Sequence, residues 1–112
     1  MIKKITVVFY SSPAGNEPVR DWLKSLGGED RLIIGTDIKT VEFGWPIGMP
    51  VSRSLGNSLF EVRSNISNGR IARVVFSIVD GYMVLLNGFI KKTQKTPKEE
   101  IDLALKRLKD IK

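Results

Sequence analysis

Hydrophobic and polar positions along this chain follow two periodicities, one helical and one extended. Apolar residues three and four apart predict helices over residues 17–26, after an N-cap at Asn16, and over Glu29–Phe43. Runs rich in β-branched and aromatic residues predict four strands: Lys3–Tyr10, Leu59–Arg63, Ile71–Val79 and Tyr82–Lys91. The first half is therefore mostly helical, and the second half is rich in strands.

Turn signals separate these elements. Asp80-Gly81 predicts a two-residue hairpin, which makes the flanking strands antiparallel neighbours. Gly44–Gly56, with two prolines and several glycines, predicts a loop. Residues 96–99 (TPKE) form a capping box with proline at the first helical position, so a last helix should begin there.

The predicted element order is β-α-α-β-β-β-α. Consecutive antiparallel strands and the N-terminal strand should form one small, mainly antiparallel sheet, with the helices covering one face. The fold class is α+β. The 112 residues fit a single domain, 1–112.

Alternation along the strands sorts their side chains between two faces. Ala72, Val74 and Phe76 are apolar and should face the helices. Arg73 then points to the opposite, open side of the sheet. The same rule places Glu61 and Arg63 on that open side.

The distribution of charge along the chain indicates the kind of partner. The net charge is +6, and all of it lies in residues 51–112, because residues 1–50 hold six basic and six acidic side chains. This asymmetry favours a nucleic-acid or acidic partner. The competing interpretation is a solvated basic surface.

Composition excludes several classes of site. The chain has no cysteine and no histidine, which removes disulfides, thiolate metal sites and the commonest general base. We find no phosphate-binding glycine loop and no metal-ligand cluster, so no metal or cofactor is expected. No apolar run reaches the roughly 20 residues that span a bilayer, and we expect a soluble, cytoplasmic protein without membrane contact. Trp45 could stack on a base, although packing of its loop is the favoured interpretation.

The candidate site is a set of cations around Glu61. Arg63 and Arg73 lie on the predicted strands, Lys91 and Lys92 come at the end of the last strand, and the RNA-binding candidates are Arg53, Arg70, Lys95 and Lys98. Guanidinium groups bind phosphate in a bidentate way, and lysines add point charge. The structural alternative is a cross-strand ion pair between Glu61 and Arg63 or Arg73.

Four segments resemble a known family. They are LFEVR at 59–63, RIARVVF at 70–76, VLLNGF at 84–89 and KKTQKTP at 91–97. Together they resemble the phage-derived, HigB-like toxins of the RelE/ParE superfamily. Val62 replaces a leucine of the family pattern, and Asn87 stands where relatives often have histidine.

The resemblance implies a RelE-like fold and a toxin of a type II toxin–antitoxin pair. Most such relatives are metal-independent endoribonucleases that cut mRNA on the ribosome, and the partner is usually a helix-turn-helix antitoxin. By position, Arg63, Arg73 and Lys91 or Lys92 fall where the superfamily has catalytic cations. The general base stays open between Glu61, a lysine, a tyrosine or no protein group. The alternatives are a ParE-like toxin that poisons a protein such as gyrase, and a non-catalytic module that binds antitoxin or RNA.

Overall fold

The computed structural model describes residues 4–48, 51–91 and 96–111, and of Lys91 only the backbone. Five strands and three α-helices occur in the order β-α-α-β-β-β-β-α. The strands are β1 (Thr6–Phe9), β2 (Ser52–Gly56), β3 (Leu59–Asn65), β4 (Ile71–Val79) and β5 (Tyr82–Lys91). The helices are α1 (Pro18–Lys24), α2 (Gly28–Gly44) and α3 (Lys98–Asp110). The α+β class and the predicted elements are thus confirmed, with one additional strand.

The sheet is mixed, and the prediction of a mainly antiparallel sheet needs this correction. Its strand order is β1-β5-β4-β3-β2. Strands β2 to β5 pair antiparallel, whereas β1 lies parallel to β5 with Thr6 opposite Tyr82 and Phe9 opposite Leu85. A parallel neighbour requires a long crossover connection, and here the whole chain between β1 and β5 provides it.

Helices cover both faces of the sheet, so the prediction that they cover only one face is wrong. On one face, α1 and α2 pack against the even-numbered apolar residues of β4, with Ile34 and Val41 of α2 buried in that core. On the other face, Ala104 and Leu108 of α3 pack with Val75 and Leu86. The apolar stripe of α3 is thus buried, as its spacing predicts. It belongs to a second hydrophobic core, on the face of the sheet opposite to α1 and α2.

The sequence predicts a loop over Gly44–Gly56, but Ser52–Gly56 forms the strand β2. Its residues pair with β3, with Arg53 opposite Glu61 and Ser52 opposite Val62. The connection to β3 turns through Asn57 and Ser58, both with positive φ. Strand formation here depends on the partner strand, because the local sequence is rich in turn formers.

The hairpin between β4 and β5 is confirmed. Asp80 and Gly81 both have positive φ, of 50° and 81°, as a type I′ turn requires. Further along, Val75 lies opposite Asn87 while Phe76 lies opposite Leu85, so β5 carries one extra residue, Leu86. This bulge brings Phe89 opposite Arg73.

Both predicted helix caps are corrected by the structure. The N-cap of α1 is Glu17 rather than Asn16, and the N-cap of α3 is Pro97. Neither cap makes a side-chain hydrogen bond to its helix. The hydroxyl of Thr96, which the capping-box prediction assigns to the helix, has a different partner, Glu61.

Gly88 of β5 gives a stability prediction, because α1 crosses directly above it. A Cβ atom at Gly88 would lie 2.6 Å from Trp22 Cζ3 and closer still to Cε3. We expect Gly88→Ala to reduce the free energy of unfolding by about 1–3 kcal/mol, since the indole must move. Gly35→Ala is the matched control: nothing lies within 4 Å of its Cβ position in α2, and we expect a gain of about 0.5–1 kcal/mol. Denaturant titration of both variants measures the difference, and equal stabilities would contradict it.

Candidate functional site

Four charged side chains from three adjacent strands lie together on the α3 side of the sheet. Arg53 of β2 pairs in register with Glu61 of β3, and Arg63 of β3 pairs with Arg73 of β4. Leu59 and Val75, at the same phase of their strands, belong to the core under α3. Alternation thus places Glu61, Arg63 and Arg73 on one face, as the sequence predicts. Pairing of β2 with β3 adds Arg53.

Glu61 lies at the centre of this cluster and is fully buried. Its Oε1 accepts a hydrogen bond of 2.5 Å from the Thr96 hydroxyl, and its Oε2 lies 3.2 Å from Arg53 Nη2. A buried carboxylate is stable only when such partners replace its hydration. Glu61 therefore holds strand β2 and the segment before α3 in place.

Arg73 is the largest fully buried side chain in the described part of the protein. Burial lowers the pKa of its guanidinium, the nearby charges of Arg63 and Arg53 lower it further, and the Glu61 charge opposes the shift. A guanidinium stays protonated in proteins even so. The cluster thus contains a permanent positive charge beneath the surface.

The open face predicted for these residues is wrong at its centre. Glu61 and Arg73 have no exposed surface. Thr96, in the segment before α3, lies on Glu61, and α3 itself packs on the neighbouring Leu59 and Val75. Arg53 and Arg63 lie at the margin and are partly exposed, Arg53 by 33% of its side chain. Solvent or a ligand can therefore reach the cluster through these two arginines.

Three guanidinium groups surround one carboxylate, which gives the described cluster an excess of positive charge. Arg63 and Arg73 stand directly opposite each other across the β3–β4 pair. Like charges at such positions destabilise a sheet. An anion at the exposed margin would reduce this repulsion, so the cluster is suited to binding phosphate or carboxylate.

The other predicted cations are distributed differently. Arg70 Nη2 donates to Asp30 Oδ2 at 2.8 Å and to Ser67 Oγ at 2.8 Å, on the α2 side of the protein. Lys98 is 90% exposed on α3 and forms an ion pair with Asp102 at 3.5 Å. The backbone of Lys91 pairs with Ile71, while its side chain, Lys92 and Lys95 lie outside the described residues. The structure thus unites Arg53, Glu61, Arg63 and Arg73, and places Arg70 and Lys98 elsewhere.

Sequence reasoning missed Thr96 as a member of the cluster. The residue is 4% exposed, and its hydroxyl donates to Glu61. The contacts of Asn87 were also not predicted, since the sequence shows this residue only as a departure from the family pattern. Its Nδ2 donates to the carbonyl and Oε1 of Glu100, which ties β5 to α3 above the sheet. No local signal marks Thr96 as a partner of Glu61, because the contact joins residues 35 positions apart in the sequence.

The Asp30 contacts predict a pH dependence of stability. Hydrogen bonds from the Ser67 amide and hydroxyl, together with the Arg70 charge, hold the pKa of Asp30 below its usual value. A carboxyl whose pKa is lowered in the folded state stabilises the fold above its unfolded pKa, and loses this effect as pH falls through the folded value.

We therefore expect Asp30→Asn to be less stable than wild type at pH 7. The difference should shrink steadily below about pH 4, where the unfolded carboxyl is protonated. Urea titrations at pH 7, 5, 4 and 3 measure it, with Asp37→Asn as a control on the same helix. A difference that is constant over this range would contradict the assigned role.

Comparison with protein families gives a match over most of the chain. The model of the family described as phage derived protein Gp49-like matches residues 21–109, most of the chain. The chain belongs to the Gp49-like family. This family is associated with toxins of the RelE/HigB type in toxin–antitoxin systems. Comparison with curated proteins gives no match.

The Gp49-like match begins within α1, ends within α3 and includes every member of the charged cluster. Among its described residues, this Gp49-like protein has no group of three or more acidic side chains that could hold a metal ion. None of the helices in the described part of the chain is long and apolar enough to cross a membrane.

Proposed function

We propose that this Gp49-like protein is the toxin of a type II toxin–antitoxin pair and cleaves mRNA as an endoribonuclease. The observation that carries the proposal is the arginine cluster, with Arg53 and Arg63 exposed at its margin and Arg73 buried behind them. Membership of a toxin-associated family supports the same reaction class. A RelE-like fold is part of this proposal.

The chemistry required is attack of a ribose 2′-hydroxyl on the adjacent phosphorus. The P–O5′ bond breaks, the 2′-hydroxyl loses its proton, and the 5′-oxygen gains one. Negative charge grows on the phosphate oxygens in the transition state, and preorganised cations stabilise it. In our proposal Arg63 binds the reacting phosphate, and Arg53 binds it or its neighbour.

Arg73 and Glu61 have a different role in this mechanism. Both are fully buried, and Glu61 already accepts from Thr96 and lies beside Arg53. We assign them to positioning: Glu61 fixes the Arg53 guanidinium, and Arg73 adds a permanent charge behind the phosphate. Preorganisation of this kind lowers the barrier because no groups need to rearrange during reaction.

The proton acceptor is the weakest element of the site. The chain has no histidine, and the Glu61 carboxylate is fully buried. Lys91 and Lys92 stay candidates by their position after β5. An enzyme without an organised base loses about 10²–10⁴ in rate, and a ribosome that positions the transcript offsets part of this loss. We therefore propose ribosome-bound mRNA as the substrate and a helix-turn-helix antitoxin as the neutralising partner.

The test is cleavage of a defined transcript by the purified protein, with and without ribosomes. We expect cuts that leave a 2′,3′-cyclic phosphate and a 5′-hydroxyl. A single 2′-deoxy substitution at the cut nucleotide should abolish that cut. The Arg63→Met variant, purified identically, should cut far more slowly, which separates this activity from a contaminating nuclease.

Two results would reject the proposal. Growth arrest with intact transcripts and damaged DNA supercoiling would favour a toxin that poisons gyrase. Absence of both toxicity and cleavage on induction would favour a non-catalytic binding module.

A further inference from the structure

A cleft lies beside the edge of the sheet, next to the arginine cluster. It has a volume of about 440 Å³ and lies between the segment after α2 and the strands β2 and β3. Its walls include Trp45, Ile47, Ser52, Arg53, Ser54 and Phe60.

Two walls of the cleft are aromatic and held in place by packing. The Trp45 ring lies 4.9 Å from the Phe60 ring at 84° and 5.5 Å from the Phe76 ring. Phe60 in turn stacks on buried Phe76 with centroids 5.6 Å apart. Packing of Trp45, the favoured sequence interpretation, is confirmed. Trp45 and Phe60 are also partly exposed, so they offer fixed apolar surface to the cleft.

The third wall is polar main chain. The Arg63 amide donates to the Val51 carbonyl at 2.9 Å. In an antiparallel pair every second residue forms its main-chain hydrogen bonds to the neighbouring strand, so Val51 and Arg53 bond to β3 through their main chains. The amide and carbonyl of Ser54 therefore point away from β3, and β2 is the last strand of the described sheet. The cleft thus combines aromatic walls with a main-chain donor and acceptor side by side.

Arg53 joins the cleft to the cluster. It lines the cleft, and its Nη2 lies 3.2 Å from Glu61 in the charged site. The aromatic walls of the cleft stand on the α2 side of the sheet, with Phe60 and Phe76, whereas the Arg53 side chain reaches Glu61 on the α3 side. The cleft and the cluster meet at Arg53 on the edge strand β2, so a single strand of RNA that passes around this edge can contact both.

We infer that this cleft binds an unstacked base of single-stranded RNA, adjacent to the phosphate held by Arg53 and Arg63. The inference rests on the proposed function and names the part of the substrate that the cleft recognises. Bases of single strands stack on aromatic side chains and form hydrogen bonds along their edges. The volume of the cleft accommodates a purine or a pyrimidine.

An extended peptide is the competing occupant, and the shape of β2 disfavours it. The pairing of β2 with β3 shifts between Ser54 and Gly56, and Gly56 has a φ of 84°. The edge therefore offers only a short regular stretch, whereas an added strand needs a continuous row of amides and carbonyls.

The test measures binding of short single-stranded RNAs in which one nucleotide at a time lacks its base. A 2′-deoxy substitution at the cut nucleotide prevents cleavage, so binding is measured apart from activity. With wild-type protein, we expect one position beside the cut site where base removal weakens binding about tenfold. The variant Phe60→Leu should lose most of that penalty, because it lacks the aromatic wall.

Tyr82→Leu is the matched control. It removes a half-exposed aromatic ring on β5, away from the cleft, and should keep the full penalty. A second measurement needs no variant: 2-aminopurine at the identified position should lose fluorescence on binding wild-type protein.

A penalty that is the same at all positions, or that persists undiminished in Phe60→Leu, would overturn the inference. Unquenched 2-aminopurine at every position would also overturn it. The proposed function fails separately, if the unsubstituted RNA and ribosome-bound transcripts stay uncut while base-dependent binding is present.

Discussion

Glu61→Gln is expected to destabilise the folded protein by about 3–5 kcal/mol, the largest effect we predict for one substitution outside the apolar core. The carboxylate is fully buried among Arg53, Arg63 and Arg73, and its charge opposes the lowering of the Arg73 pKa. The glutamine keeps the shape of the side chain and removes the only negative charge of the described cluster. The Glu61 charge then no longer offsets the positive charge of the buried Arg73 guanidinium.

Denaturant unfolding at pH 7 measures this effect. Glu17→Gln makes the same chemical change at a partly exposed carboxylate that pairs with Arg20, and should stay within about 1 kcal/mol of wild type. The double variant Glu61→Gln/Arg73→Met should recover much of the loss, since it removes the buried positive charge together with the negative charge that offsets it. Equal stabilities of Glu61→Gln and Glu17→Gln would show that Glu61 does not hold the cluster together.

Arg63→Met is expected to reduce RNA cleavage by about 10²–10³-fold without loss of stability. The activity falls because, in the proposed mechanism, Arg63 stabilises charge on the reacting phosphate. The stability should rise slightly, by about 0.2–1 kcal/mol, because the substitution relieves the repulsion between directly opposed Arg63 and Arg73. A purely structural arginine would show the opposite pattern, with lower stability.

Parallel measurements of cleavage rate and unfolding free energy test both parts. Arg20→Met on α1 is the control, since this exposed arginine pairs only with Glu17 among the described residues and should leave both quantities near wild type. Cleavage by Arg63→Met within threefold of wild type would remove Arg63 from the mechanism. A stability loss above about 1 kcal/mol would show that Arg63 supports the fold.

The two predictions assign different roles to the buried and to the partly exposed residues of the cluster. The buried pair, Glu61 and Arg73, supports the architecture of the site, and the marginal arginines, Arg53 and Arg63, are available to a ligand. Repulsion between adjacent arginines is tolerated in the sheet, which is the expected pattern where function conflicts with local stability.

Local sequence determined the elements whose physics is local. Asp80 and Gly81 adopt the positive φ that a type I′ turn requires, and residues of these types favour that turn. The dipeptide therefore determines the hairpin and the antiparallel pairing of β4 with β5. Alternation along β3 and β4 sufficed to place Glu61, Arg63 and Arg73 on one face, because successive side chains of a strand point to opposite sides. The cation set was thus recognisable from the chain alone, as was the resemblance of its motifs to a toxin family.

Tertiary structure decided what depends on distant partners. The strand β2 forms only because β3 pairs with it, and β1 lies parallel to β5 because the chain between them crosses over the sheet. Packing of α3 on the same face as Glu61 and Arg73 made part of the predicted open face a second core, and both residues are fully buried. It also brought Thr96 onto Glu61, 35 residues away in sequence. Spacing within a chain shows which residues share a face, but only the packing of other elements on that face decides which of them a ligand can reach.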